Sequence, residues 1–134
     1  MSDGGATKMS KPTRSRLPLR RSRTTTVEAT VAGNKISLTT GEYPDGTLGE
    51  IFIDMHKTGA AFHSLMNCFA MLVSLCLQHG VPLSLLVKRF VGVNFEPCGP
   101  VTGHEGITHA KSVVDFVFQV LARDYAGHVK EVVE

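Results

Sequence analysis

One imidazole in this chain sits in a setting suited to coordination chemistry. His56 follows Asp54 by two residues and precedes Gly59 by three, in the stretch Asp54-Met55-His56-Lys57-Thr58-Gly59. An imidazole nitrogen ligates a metal centre best when a carboxylate accepts the other ring N–H, which fixes the tautomer and raises the basicity of the ligand. In an extended strand, residues two apart point the same way, so Asp54 can stand beside His56. A glycine shortly afterwards permits a tight turn and a close backbone approach to a bound group. The plainer reading of the same residues is a strand-end Asp–His pair that orders a turn, and the sequence favours it.

Other residues with chemistry in them read more simply. His104 and His109 are five apart, point to different sides of a helix, and have no further ligand at a recognised spacing. Cys98 lies in a Pro/Gly loop with no basic neighbour to activate it. Cys68 and Cys76 fall in an apolar helical run, where a thiol is expected to act as a small buried hydrophobe. The cysteine count is odd and no C-x-x-C occurs, which together point to a reducing compartment, the cytoplasm. No run approaches the ~18 apolar residues of a spanning helix, so no membrane is expected.

The elements that must position these residues follow from charge and periodicity. Residues 1–23 carry seven Lys/Arg against Asp3 alone and little apolar periodicity, which predicts a disordered basic arm. Nucleic-acid binding by the arm is disfavoured because no aromatic residue interleaves the basic ones. Residues 24–134 carry seven Lys/Arg and eleven Asp/Glu and form the single domain. Within it, 24–32, 35–43 and 47–56 alternate apolar and polar residues, with Gly33-Asn34 and Pro44-Asp45-Gly46 as turns. They predict a three-stranded antiparallel meander. Residues 60–79 are apolar around most of the circumference and predict a buried helix with a narrow polar stripe of His63, Asn67, Ser74 and Gln78. That stripe can line a pocket or subunit interface, or face solvent. A second helix is expected at 82–91. After an irregular loop over 92–102, a third is expected to run to about Tyr125, capped by Thr102 and Glu105. Strands first and helices packed on them make the fold class α+β.

Several stretches together resemble one family: Arg16-Leu17-Pro18, Thr40-Gly41-Glu42-Tyr43, Asp45 through Lys57, Ser64-Leu65-Met66-Asn67, Gln78-His79-Gly80-Val81-Pro82-Leu83 and Phe95-Glu96-Pro97. The succession is similar to the C-terminal (TSCPD) domain of adenosylcobalamin-dependent, class II ribonucleotide reductases, over about residues 16–125. The D-x-H-x-x-G spelling of Asp54, His56 and Gly59 separately resembles a cobalamin-binding signature in which His ligates cobalt. The S-x-L and Gly-Gly that accompany that signature do not follow here. The Thr-Ser-Cys-Pro-Asp string that names the domain is replaced by Gly106-Ile107-Thr108-His109-Ala110-Lys111-Ser112.

The resemblance implies part of a ribonucleoside-diphosphate reductase system without a complete active site. The barrel, the radical cysteine and the reducing cysteine pair would belong to another chain. Expected accordingly are a large catalytic chain as partner, homo-oligomerisation as a further contact, and adenosylcobalamin met with or through the catalytic chain. Asp54, His56 and Gly59 are the cofactor-contact candidates. The alternatives are a free-standing interaction module and a weak nucleic-acid binder working through the arm.

Overall fold

The computed structural model describes Leu17, Arg21 and residues 23–128. Three strands open the fold: β1 (Arg23–Val31), β2 (Asn34–Glu42) and β3 (Leu48–Met55). Each pairs antiparallel with the next, as the alternation predicts. The first hairpin turns on Ala32 and Gly33, with φ of 49° and 84°, one residue earlier than expected. Two successive positive φ values match the right-handed twist of the flanking strands. Ala29, Val31, Ile36, Leu38, Ile51, Ile53 and Met55 form the inner face and are buried.

Helices α1 (Ala60–Gln78) and α2 (Leu83–Phe90) come next. The chain from 92 to 112 departs from expectation. It forms short strands β4 (Gly99–Thr102) and β5 (His109–Ala110), giving a five-stranded sheet of order β3-β2-β1-β4-β5. The third helix, α3, spans only Val113–Asp124, so the expected Thr102–Glu105 cap is not its start. Gly103, at φ 89°, and Gly106 each oppose helix by about 1 kcal/mol, and Val101 instead pairs across to Val31 in the sheet. The real cap is Ser112, whose hydroxyl accepts the Asp115 N–H at 2.9 Å. The class remains α+β.

Helix α3 is the centre of the core. Val113, Phe116, Val117, Phe118, Val120 and Leu121 are fully enclosed. Phe118 stacks on Phe90 of α2 at 5.3 Å and meets Phe69 of α1 edge-on at 6.1 Å, so one aromatic cluster ties the three helices. Asp115 accepts from the backbone N–H of Gly92 and Lys111 and from the Gln119 amide. The Ser112 hydroxyl also donates to the Val93 carbonyl at 2.6 Å. At the other end, the Tyr125 hydroxyl donates to Glu42 at 2.7 Å inside the fold.

Most of the expected arm lies outside the described residues, but three positions in it are described. Leu17 is buried, Arg21 pairs with Glu50, and Arg23 opens β1. At these positions the chain is part of the packed domain. The fork of Arg21 bonds both Glu50 oxygens, Nε at 2.6 Å and the terminal amino group at 2.9 Å, over a bare Gly41. A Cβ on Gly41 would fall within 3 Å of the Glu50 side chain, and only glycine leaves that space.

Helix α1 is not the buried helix its composition suggests. Met66, Ala70, Val73 and Leu77 pack inward, while Leu65, Cys68, Met71, Leu72 and Leu75 are exposed. Cys68 is therefore a surface thiol, and only Cys76 is half-covered. By length and composition this helix could cross a membrane, closer to a spanning segment than the sequence suggested, with 22% of the span buried. Its polar residues nevertheless bind it to a sheet.

Candidate functional site

The chemistry-bearing residues gather on the outer face of the sheet and along its β3 edge. Cross-strand register places Glu28, Ser37 and Asp54 in one row. Ser37 donates to Glu28 at 3.2 Å and meets His56 Nε2 at 3.0 Å. Asp54 bonds His63 Nε2 at 3.1 Å, and His63 Nδ1 in turn faces the Asn67 amide at 3.5 Å. The site is thus a chain of polar contacts running from β1 across the sheet to the first turns of α1.

This arrangement differs from the one the D-x-H spacing suggests. Asp54 and His56 do lie side by side, but their nearest approach is 4.0 Å and involves Nε2, the nitrogen already facing Ser37. The carboxylate is committed to His63 instead. The cause is local: α1 turns back along β3 and brings its first turn over the strand end. The turn itself is made by Lys57, at φ 56°, rather than by Gly59. Gly59 has φ −65° and is the N-cap of α1, with open space where a Cβ would stand. His56, His63 and Asp54 remain half-exposed or exposed.

Two residues of the stripe, Ser74 and Gln78, bond the β3 backbone. β3 is an edge strand, and its outward backbone groups need partners. Ser74 accepts the Ile51 N–H at 2.9 Å and sits 3.2 Å from the Ile51 carbonyl, while the Gln78 amide donates to the Gly49 carbonyl at 3.0 Å. Ser74 and Gln78 thus close the sheet edge, and with Asn67 they also line a groove, one of the roles the sequence left open for the stripe. Between β3 and α1 remains a groove of about 540 Å³ lined by Phe52, Ile53, Asn67, Ala70 and Met71 among others. A shallower hollow lies beside Lys57, Thr58 and Phe62. Neither is lined by His56.

His104 plays a structural part. His104 Nδ1 accepts the N–H groups of Gly106 and Ile107, both at 3.1 Å, which leaves its proton on Nε2 and orders the β4–β5 turn. His109 is exposed in β5. Among the described residues no group of three His, Cys, Asp or Glu is placed to hold a metal ion. Sequence reasoning missed Ser37 and Glu28 as partners of His56, since register decides them, and missed Ser112 with Asp115, although that pair carries the same S/T-x-x-acid signal as Thr102 with Glu105.

Comparison with known proteins shows the family of the chain. A vitamin B12-dependent ribonucleotide reductase of Agrobacterium fabrum is 53% identical over 114 residues, 85% of this chain and 9% of that protein. The reductase of the same name from Bradyrhizobium diazoefficiens is 56% identical over 100 residues, 75% of this chain and 8% of that protein. That of Streptantibioticus cattleyicolor is 41% identical over 115 residues, 86% of this chain and 19% of that protein. The chain thus spans less than a fifth of the length of these relatives. No solved structure matches it. The family model of the TSCPD domain matches residues 9–125, through all five strands and all three helices, and the chain belongs to the TSCPD domain family.

Proposed function

We propose that this chain is a terminal, non-catalytic domain of a B12-dependent ribonucleotide reductase system, associating with the large catalytic chain and supporting deoxyribonucleotide synthesis. The supporting observation is lopsided coverage. The match takes in 85% of this chain but only 9% of the Agrobacterium reductase. In this reading nucleotide reduction and adenosylcobalamin belong to the large remainder. The cytoplasm is its place, because Cys68, Cys76 and Cys98 are free thiols.

Asp54, His56 and Gly59 are not arranged as the D-x-H-x-x-G spelling leads one to expect of a cobalt-binding set. The carboxylate serves His63, the near imidazole nitrogen faces Ser37, and the turn belongs to Lys57. The three residues act as the joint between β3 and α1, and the cofactor reaches the system through the catalytic chain. The deciding experiment is a ribonucleotide reduction assay on a large catalytic chain lacking this region, with and without the 134-residue protein. Turnover should rise on addition, and the small protein alone should reduce nothing. Unchanged turnover together with no co-purification would overturn the proposal.

A further inference from the structure

The exposed side of α1 has a pattern of its own. Ala61, Leu65, Cys68, Leu72, Leu75 and His79 recur at intervals of four, three, four, three and four residues, and all are exposed. Leu65 is 62%, Leu72 59% and Leu75 55% open, with Met71 at 65% flanking the row. A four–three repeat is the seam along which one helix packs knobs into the holes of another. The occupant such a seam fits is therefore a helix, rather than a strand or a small ligand.

Symmetry and charge identify which helix. The row is its own mirror about the level of Ala70. With two copies of α1 laid antiparallel, Leu65 falls opposite Leu75 of the second copy, Cys68 opposite Leu72, and Ala61 opposite His79. This is the self-complementarity a two-fold interface requires. Between Ala60 and Gln78 there is no Asp, Glu, Lys or Arg, so no like charges are pressed together. The first turn has no acidic residue of its own and the last turn no basic one, so the helix itself supplies no side-chain complement to either end of its dipole. An antiparallel copy supplies it, positive end beside negative end. Leu65, Leu72 and Leu75 on the row and Met71 beside it are each more than half open, and Phe52, next to Met71 in the groove, carries the apolar surface on to β3.

We propose that the chain forms a two-fold dimer through antiparallel pairing of α1 along Leu65, Cys68, Leu72 and Leu75. The inference is independent of the reductase reading, which is tested by turnover. Its test is molecular mass by light scattering and sedimentation of the 134-residue protein. The parent should run at twice the 14.5 kDa chain mass. Leu72→Glu buries a charge at both copies of the seam and should raise the dimer dissociation constant roughly 100-fold or more, with an unchanged circular dichroism spectrum. Orientation is read by thiol cross-linking in a Cys76→Ser, Cys98→Ser background. Adding Leu72→Cys should give a covalent dimer that Cys68→Ser abolishes. A monomeric parent, whether or not it binds lipid vesicles or a large reductase chain, overturns the proposal. So does a dimer that survives Leu72→Glu, or one that cross-links through Cys68 alone, since in the proposed antiparallel register Cys68 faces Leu72 and not itself.

Discussion

Helices α1 and α3 are both largely apolar and are built for opposite purposes. Helix α3 is enclosed from Val113 to Phe118 and held at each end by buried polar groups. Ser112 and Asp115 take up five contacts at its start, and Tyr125 with Glu42 secures its end. Helix α1 begins at a glycine with no side-chain cap, leans on an exposed Asp54–His63 contact, and presents its second apolar row outward. Buried polar contacts are costly to break and specify a unique arrangement, whereas exposed ones contribute little. In this comparison α3 carries the stability, and α1 carries the contact surface proposed above. The residues that look most chemical in the sequence lie at the weaker joint.

The largest effect should come from breaking the α3 start. Asp115→Ala strips the acceptor from the N–H groups of Gly92 and Lys111 and from the Gln119 amide in a nearly enclosed site. Unsatisfied buried donors cost about 1–3 kcal/mol each, moderated where water can enter. The expected loss is about 4 kcal/mol, or a melting temperature lower by roughly 15 °C. Asp115→Asn, which keeps an acceptor, should recover part of it. A thermal unfolding curve for Asp115→Ala that overlays the parent would remove the distinction between the two helices.

The next effect is smaller and depends on pH. Burial, with a contribution from the neighbouring Glu42 carboxylate, pushes the Tyr125 phenol up from 10.0 to about 12. A raised folded-state value means that the unfolded chain loses this proton first as pH climbs. The stability from the Tyr125 contact is therefore complete below pH 10 and is lost as pH rises to about 12. Tyr125→Phe should lower stability at neutral pH by about 1–2 kcal/mol, since Glu42 keeps its burial without its donor. It should also flatten this part of the alkaline stability profile. Denaturant titrations of parent and Tyr125→Phe at a series of alkaline pH values measure both. Parallel profiles would show that the α3 end is not anchored through this phenol.

How much of this was legible in the sequence depended on what each residue answers to. The β1–β2–β3 meander was readable because alternation and turn chemistry act locally: Ile51, Ile53 and Met55 can share a face only in a strand, and Gly33 and Gly46 mark its turns. The β4–β5 pair was not, because strands of four and two residues carry almost no period, and Ile107 and Ala110 fit a helix as easily. Gly103 and Gly106 were the available signal that Ser112, not Thr102, begins α3. The exposure of α1 was hidden by its uniformity, since an uncharged helix reads as buried until something fails to cover it. The adjacency of Asp54 and His56 was readable from strand geometry. Their partners were not, because Ser37 arrives through register with β2 and His63 through the path of α1.

The smallest effect on folding should come from the α1 joint, and it bears directly on function. Asp54→Asn, His56→Ala and His63→Ala each alter an exposed or half-exposed contact. Such contacts contribute about 0–1 kcal/mol, so each melting temperature should stay within a few degrees of the parent. If these residues form a joint, absorption titrations with adenosylcobalamin should give the same result for parent and His56→Ala, with and without a large catalytic chain. If His56 ligates cobalt, His56→Ala should abolish binding, and loss of its supporting partners should weaken it by about 10–100-fold. The supporting partner would then be Ser37, which faces His56 Nε2, so Ser37→Ala should weaken binding and Asp54→Asn should not. Parent-like titrations for all three imply that the polar chain from Glu28 to His63 only fastens α1 to the sheet. Loss of cobalamin binding in His56→Ala alone would restore the ligand role and make the weaker joint the chemical one.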